Sequence, residues 1–143
     1  MNKTSVKEYM ATNLVTLKKD MNIYYAIGIL LQNNISGAPV IDEKSKLIGI
    51  ISEKDCLKIF AESSNSETSF SNAYILGKSK VEDYMTTSIS TVNLEDDLFS
   101  IVNIFLKNNF RRLPVLSEER LVGQISRRDV LKAINDINNN HKD

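Results

Sequence analysis

One arrangement of residues occurs twice in this chain, and that repeat limits the fold more than any other feature. With a displacement of about 75 positions, Val6-Lys7-Glu8-Tyr9-Met10 aligns with Val81-Glu82-Asp83-Tyr84-Met85, and Thr12 and Thr16 align with Thr87 and Thr91. Leu31-Gln32-Asn33-Asn34 aligns with Leu106-Lys107-Asn108-Asn109, and Pro39-Val40 with Pro114-Val115. One residue must be dropped from the first copy's turn. Leu47-Ile48-Gly49-Ile50-Ile51-Ser52 then meets Leu121-Val122-Gly123-Gln124-Ile125-Ser126, and Asp55, Leu57 and Lys58 meet Asp129, Leu131 and Lys132. Chance similarity does not keep that order through a single gap.

Each copy predicts the same local structure. Ile23, Ala26, Ile27, Leu30 and Leu31 recur at helical spacing, as do Leu98, Ile101, Val102, Phe105 and Leu106. Asn33-Asn34 and Asn108-Asn109 suit the ends of these helices, because Asn tolerates the left-handed conformation. Two apolar runs around a polar turn follow in each copy, which predicts a hairpin. Pro39 and Pro114 are expected to begin strands, where a missing donor is tolerated. A second helix is expected from Ser52 or Ser126, with Leu57 or Leu131 packed inward. A short extended stretch, Leu14–Leu17 or Ile89–Val92, precedes the first helix. The fold class is α/β (α+β), two tandem β-α-β-β-α units. A copy of roughly 55 residues is marginal alone, so sheet-to-sheet packing of the two is expected. The expected boundaries are 1–60 for the first unit, 61–77 for a Ser- and Asn-rich linker with a short ordered piece at 73–76, 78–137 for the second unit, and 138–143 for a frayed tail.

Composition excludes several classes. Eighteen basic and eighteen acidic residues cancel, so nucleic acid or an anionic membrane is not the expected main partner. No apolar run approaches the roughly 20 residues of a spanning helix, and the first residues lack a signal-peptide core. A single cysteine, Cys56, forms no internal disulfide, and a cytoplasmic location is expected. The only histidine, His141, falls in the tail, which removes Ser-His, Cys-His and His-metal arrangements. Glu95-Asp96-Asp97 precedes a helix, where helix-start electrostatics accounts for acidic residues better than a cation does.

The tandem motifs "VKEYM", "ISGAPVID" and "LIGIISEKD", then "VEDYM", "FRRLPVL" and "LVGQISRRD", resemble the cystathionine β-synthase (CBS) domain pair over all but the linker and tail. The resemblance implies two units packed through their sheets about a pseudo-twofold axis, commonly assembled as a homodimer. It implies clefts between units for adenosine-containing ligands such as AMP, ADP, ATP or S-adenosylmethionine, with magnesium compatible alongside phosphates and no cofactor required. In that family a Ser or Thr followed three residues later by Asp holds the ribose, which corresponds here to Ser52 with Asp55 and Ser126 with Asp129. The stretches containing Leu14 and Val15, and Ile89 and Ser90, match positions lining the base. The pair resembles stand-alone regulatory members whose effector is a separate protein, not an enzyme; a structural adaptor is the rival reading.

The residues also carry plainer readings. Ser-x-x-Asp at a helix start resembles a capping box, although Glu or Gln is the usual third residue; a carboxylate there also suits two ribose hydroxyls. All five arginines, Arg111, Arg112, Arg120, Arg127 and Arg128, lie in the second copy. Arg127 and Arg128 sit at a helix N-terminus, unfavourable for cations unless an anion arrives; a solvated basic face is the alternative. The first copy has Ser36-Gly37 in place of Arg111-Arg112, leaving Lys54 as its nearest base. The Asp129 site is therefore expected to favour phosphorylated ligands. Pro39 and Pro114 can present apolar surface to a base. Gly49 and Gly123 fit either close packing or room for an adenine ring.

Overall fold

The computed structural model describes residues 4–63 and 78–140. The piece expected at 73–76, and His141, lie outside them. In chain order the elements are α1 (Val6–Tyr9), α2 (Ile23–Gln32), β1 (Gly37–Ile41), β2 (Leu47–Ser52), α3 (Glu53–Ser63), α4 (Val81–Tyr84), β3 (Val92–Asn93), a 3-10 helix (Leu98–Ile101) running into α5 (Val102–Lys107), β4 (Arg112–Ser117), β5 (Arg120–Ser126) and α6 (Arg127–Asn140). Helix therefore extends to Ser63 and through 138–140, into the segments expected as linker and tail. No helix among the described residues is long and apolar enough to cross a membrane.

The chain forms two compact units, and they differ from the two sequence copies. One is contiguous, Val15–Ile89; the other is split, Met1–Leu14 with Ser90–Asp143. The reason lies in the repeated V-x-x-Y-M helix. Val6 of the first copy is buried in the core built by the second copy's Val92, Leu98, Leu113 and Ile125. Val81 of the second copy is buried with Leu17, Ile23, Val40 and Ile51 of the first. Each such valine removes apolar surface from water worth about 1.5–3 kcal/mol.

In the contiguous unit, Asn22 caps α2 by accepting the Tyr24 N–H at 2.8 Å. Asn34 ends that helix with φ 53°, as expected of Asn. β1 and β2 form an antiparallel hairpin with a bulge between Val40 and Ile41. Its turn is clamped by Asp42 Oδ1, which accepts the N–H groups of Lys44 and Lys46. The stretch Leu14–Leu17 contributes only one parallel bridge, Leu17 to Val40. Leu17 N–H donates to Pro39 O and Ile41 N–H to Leu17 O, and the next bond in such a ladder would need an N–H on Pro39. Proline lacks it. Pro39 thus sits mid-strand, not at the strand start, and shortens its parallel neighbour.

The split unit follows the same plan with local differences. β3, β4 and β5 form a three-stranded sheet, parallel between β3 and β4 and antiparallel between β4 and β5. Pro114 is also the third residue of its strand, and β3 is only two residues long. Asn108 has an extended backbone, against expectation, and its side-chain amide instead donates to Ile104 O. Asp97, at the N-cap of the 3-10 helix, makes no side-chain cap bond, and Asp96 accepts the Asn93 N–H at 2.9 Å. Asp96 thus shapes the turn that leads into the helix, and Asp97 stands at the helix start itself.

The inward helix faces are narrower than the sequence period implies. Leu57 is 67% exposed and Leu131 64% exposed, so neither packs inward. Cys56 and Ile59 face the core on α3, and Val130 and Ala133 on α6. A residue one step along a helix turns by about 100°, which carries the leucines off that face. Leu31 and Leu106 are likewise exposed.

Candidate functional site

The Ser-x-x-Asp pairs lie where each hairpin's second strand passes into the following helix. At both junctions the capping box forms. Asp55 N–H donates to Ser52 Oγ at 3.1 Å, and Ser52 N–H donates to Asp55 Oδ2 at 2.9 Å. Asp129 N–H donates to Ser126 Oγ at 3.1 Å, and Ser126 N–H donates to Asp129 Oδ2 at 2.9 Å. The shorter Asp thus closes the box at both junctions in place of the usual Glu. The junction is also tied back to the preceding strand's entry: Glu53 N–H donates to Ser36 O, and Arg127 N–H to Arg111 O.

The two carboxylates then differ. Asp55 is buried, at 7% exposure. Its Oδ2 also accepts the Ser52 hydroxyl at 2.9 Å, and the Thr86 hydroxyl lies 3.2 Å from Oδ1 and 3.4 Å from Oδ2. Asp129 is partly exposed. Among the described residues its only side-chain bond is the one from Ser126 N–H, so Oδ1 has no partner.

A methionine and a short backbone pairing set what faces each aspartate. Thr86 and Ile50 exchange N–H···O bonds of 2.8 and 2.9 Å, and Ala11 and Gln124 exchange bonds of 2.8 and 2.9 Å. Ala11 in the split unit therefore occupies the place of Thr86 in the contiguous one. The same approach explains the strand glycines. A Cβ on Gly49 would land on the Met85 side chain, and one on Gly123 would meet Met10 Sδ at 2.5 Å and Ala11 O at 2.8 Å. Close packing, not room for a base, is what requires these glycines.

The basic residues also divide. Arg127 extends its guanidinium to Asn108 O at 3.2 Å and Phe105 O at 3.5 Å. It thereby satisfies carbonyls at the end of α5, where a cation is favourable. Its presence at the start of α6 thus has a structural cause that sequence reasoning missed. Arg111, Arg112 and Arg128 are exposed, and among the described residues their side chains make no hydrogen bond or ion pair. These three belong to the split unit with Ser126, Asp129, Pro114, Ser90 and Leu14. Ser52, Asp55, Lys54, Val15, Pro39 and Ile89 belong to the contiguous unit, where Lys54 is exposed. Both prolines are buried.

Nothing at either junction resembles an activated nucleophile. Burial, and secondarily the Asp55 charge, push the Cys56 thiol above its usual range and keep it protonated. Among the described residues no group of three His, Cys, Asp or Glu side chains gathers as a metal site.

Comparison with known proteins agrees with this architecture. The CBS domain model matches residues 6–62 and 81–136. The chain is 31% identical over 129 residues to protein MJ1225 of Methanocaldococcus jannaschii, covering 90% of this chain and 42% of that protein's length. Among solved structures, CBSX2 of Arabidopsis thaliana, in complex with AMP, superposes with a TM-score of 0.77 at 28% identity, covering 94% of this chain and 98% of CBSX2. The CBS domain pair of protein MJ0100, in complex with 5'-methylthioadenosine and S-adenosyl-L-methionine, gives 0.72 at 25% identity, covering 95% and 99%. With its two repeats matched in tandem, the chain belongs to the CBS domain family.

Proposed function

We propose that the chain is a regulatory, non-enzymatic module that binds an adenosine-containing ligand of the AMP, ADP or ATP class and signals its occupancy to a separate effector protein. The observation that carries this reading is the Asp129 carboxylate. Its capping box fixes its orientation while leaving Oδ1 without a partner. A carboxylate so placed accepts both hydroxyls of a ribose through charge-assisted bonds. Ser126 caps the helix in this scheme. Arg128, Arg111 and Arg112 supply unpaired guanidinium groups for phosphate in the same unit, whereas Arg127 is held by α5. The solved relatives carrying AMP and S-adenosylmethionine support the ligand class. Signalling requires the ligand to bind one arrangement of the module more tightly than another.

Calorimetric titration of AMP, ATP and S-adenosylmethionine tests the reading. Wild type binds at least the nucleotide class. Asp129→Asn, whose amide oxygen preserves the cap, weakens AMP by about tenfold or more, the value of a charged hydrogen bond. Wild-type protein that binds none of the three at millimolar concentration overturns it and leaves the adaptor reading.

The assembly we propose is a homodimer. Leu131 and Ile134 form an exposed stripe on α6, and Leu31 and Leu57 are exposed on α2 and α3. Large apolar side chains at matching positions of both copies suit a self-complementary interface. Sedimentation velocity of Leu131→Lys against wild type checks it, a monomeric wild type being the contrary result.

A further inference from the structure

We infer that the Thr86 hydroxyl acts as a built-in competitor for the Asp55 carboxylate, and that the chain consequently takes its adenosine ligand at Asp129 alone. This rests on the ribose-binding reading above and adds to it which site is open, and why. Thr86 contacts both oxygens of Asp55, at 3.2 and 3.4 Å, and Ser52 supplies two further donors to Oδ2. The aspartate is buried beneath them. A ribose hydroxyl arriving there replaces a hydroxyl already in place, so the exchange is near neutral while the displaced threonine loses its partner.

The equivalent position in the split unit is Ala11, held by the same pair of backbone bonds to the facing strand. A methyl group donates nothing, and Asp129 Oδ1 stays available. One facing side chain on two matching backbone frames thus decides occupancy. The asymmetry does not depend on the arginines, although Arg111, Arg112 and Arg128 act in the same direction.

The test exchanges the two residues. Wild type binds one AMP per chain. Ala11→Thr weakens that binding by about tenfold or more, and Ala11→Val, of similar size without the hydroxyl, does so markedly less. In an Asp129→Asn background, Thr86→Ala creates binding of adenosine or AMP where Thr86→Ser does not. Circular dichroism and urea melts confirm folding of each variant. If wild type binds no adenosine ligand, the functional reading fails and takes the inference with it. If wild type binds but Ala11→Thr matches it, or Thr86→Ala leaves the Asp55 junction empty of adenosine and AMP alike, the inference fails alone. Two equal sites in wild type also overturn it.

Discussion

The two helix-start junctions share a backbone frame and differ in one facing side chain. Both close a Ser-Asp capping box, and both are faced by a backbone pairing that follows a methionine packed over a strand glycine. In the contiguous unit Thr86 bonds to the aspartate; in the split unit Ala11 leaves it open. The lesson is that a duplicated frame can keep its folding bonds in both copies while leaving a carboxylate oxygen open in only one. At Asp129 the capping box uses Oδ2 and leaves Oδ1 without a partner among the described residues.

Several measurements would break or sharpen that comparison. The largest effects belong to the matched cores. Ile51→Ala and Ile125→Ala remove fully buried, equivalent side chains and should each cost about 3–4 kcal/mol in urea denaturation. Markedly unequal costs would show that the two cores are not matched. The strand glycines should separate the units. Gly123→Ala drives a methyl against the Ala11 backbone oxygen as well as Met10, whereas the atoms nearest a methyl at Gly49 all belong to the pliable Met85 side chain. We expect about 2–3 kcal/mol for the first and about 1 kcal/mol for the second; the reverse order would contradict the packing account.

A smaller, stabilising effect is expected at the second hairpin. Its two-residue turn places Glu118 and Glu119 at φ 50° and 70°, a conformation suited to Asn-Gly. Replacing the pair by Asn-Gly should raise stability by about 1 kcal/mol in the same denaturation assay. The first hairpin has a single such residue, Ser45, and an Asp42 clamp.

The smallest effect concerns pH. Tyr9 donates to Asp136 Oδ2 at 2.6 Å, and this bond, ahead of desolvation and the carboxylate's charge, raises the phenol above its usual 10.0. The folded state therefore favours the protonated phenol. Its contribution is fully present below pH 10 and is lost as pH rises through the raised value. Wild-type melting temperature should fall more steeply there than that of Tyr9→Phe; parallel curves would remove Tyr9 from the split unit's stability.

Much of the fold was legible in the sequence because apolar spacing and turn residues report local structure directly. The hairpins, both amphipathic helices and the Ser-x-x-Asp starts all follow from it. What escaped depends on long-range pairing. Proline's missing donor acts on a neighbouring strand, so Pro39 read as a strand start and Leu14–Leu17 as more than a bridge. Leu57 and Leu131 looked like core, since the sequence does not say which of two apolar stripes on a helix faces inward. The contact of Arg127 with Phe105 O and Asn108 O was not legible, because these acceptors are main-chain atoms about twenty residues away. The role of Thr86 needed the fold, since 31 positions separate it from Asp55.

The split unit carries a consequence for how the chain acquires its structure. The contiguous unit, Val15–Ile89, has all its segments once residue 89 has been synthesised, so its core can close while the rest is still being made. The other unit must keep Val6 waiting until Leu113 and Ile125 emerge, and its Tyr9–Asp136 bond joins residues 127 positions apart. Closing such long loops is slow, because chain entropy is lost before the distant contacts repay it. The nascent chain thus presents an early-formed half and a late one, and the late half holds the open aspartate.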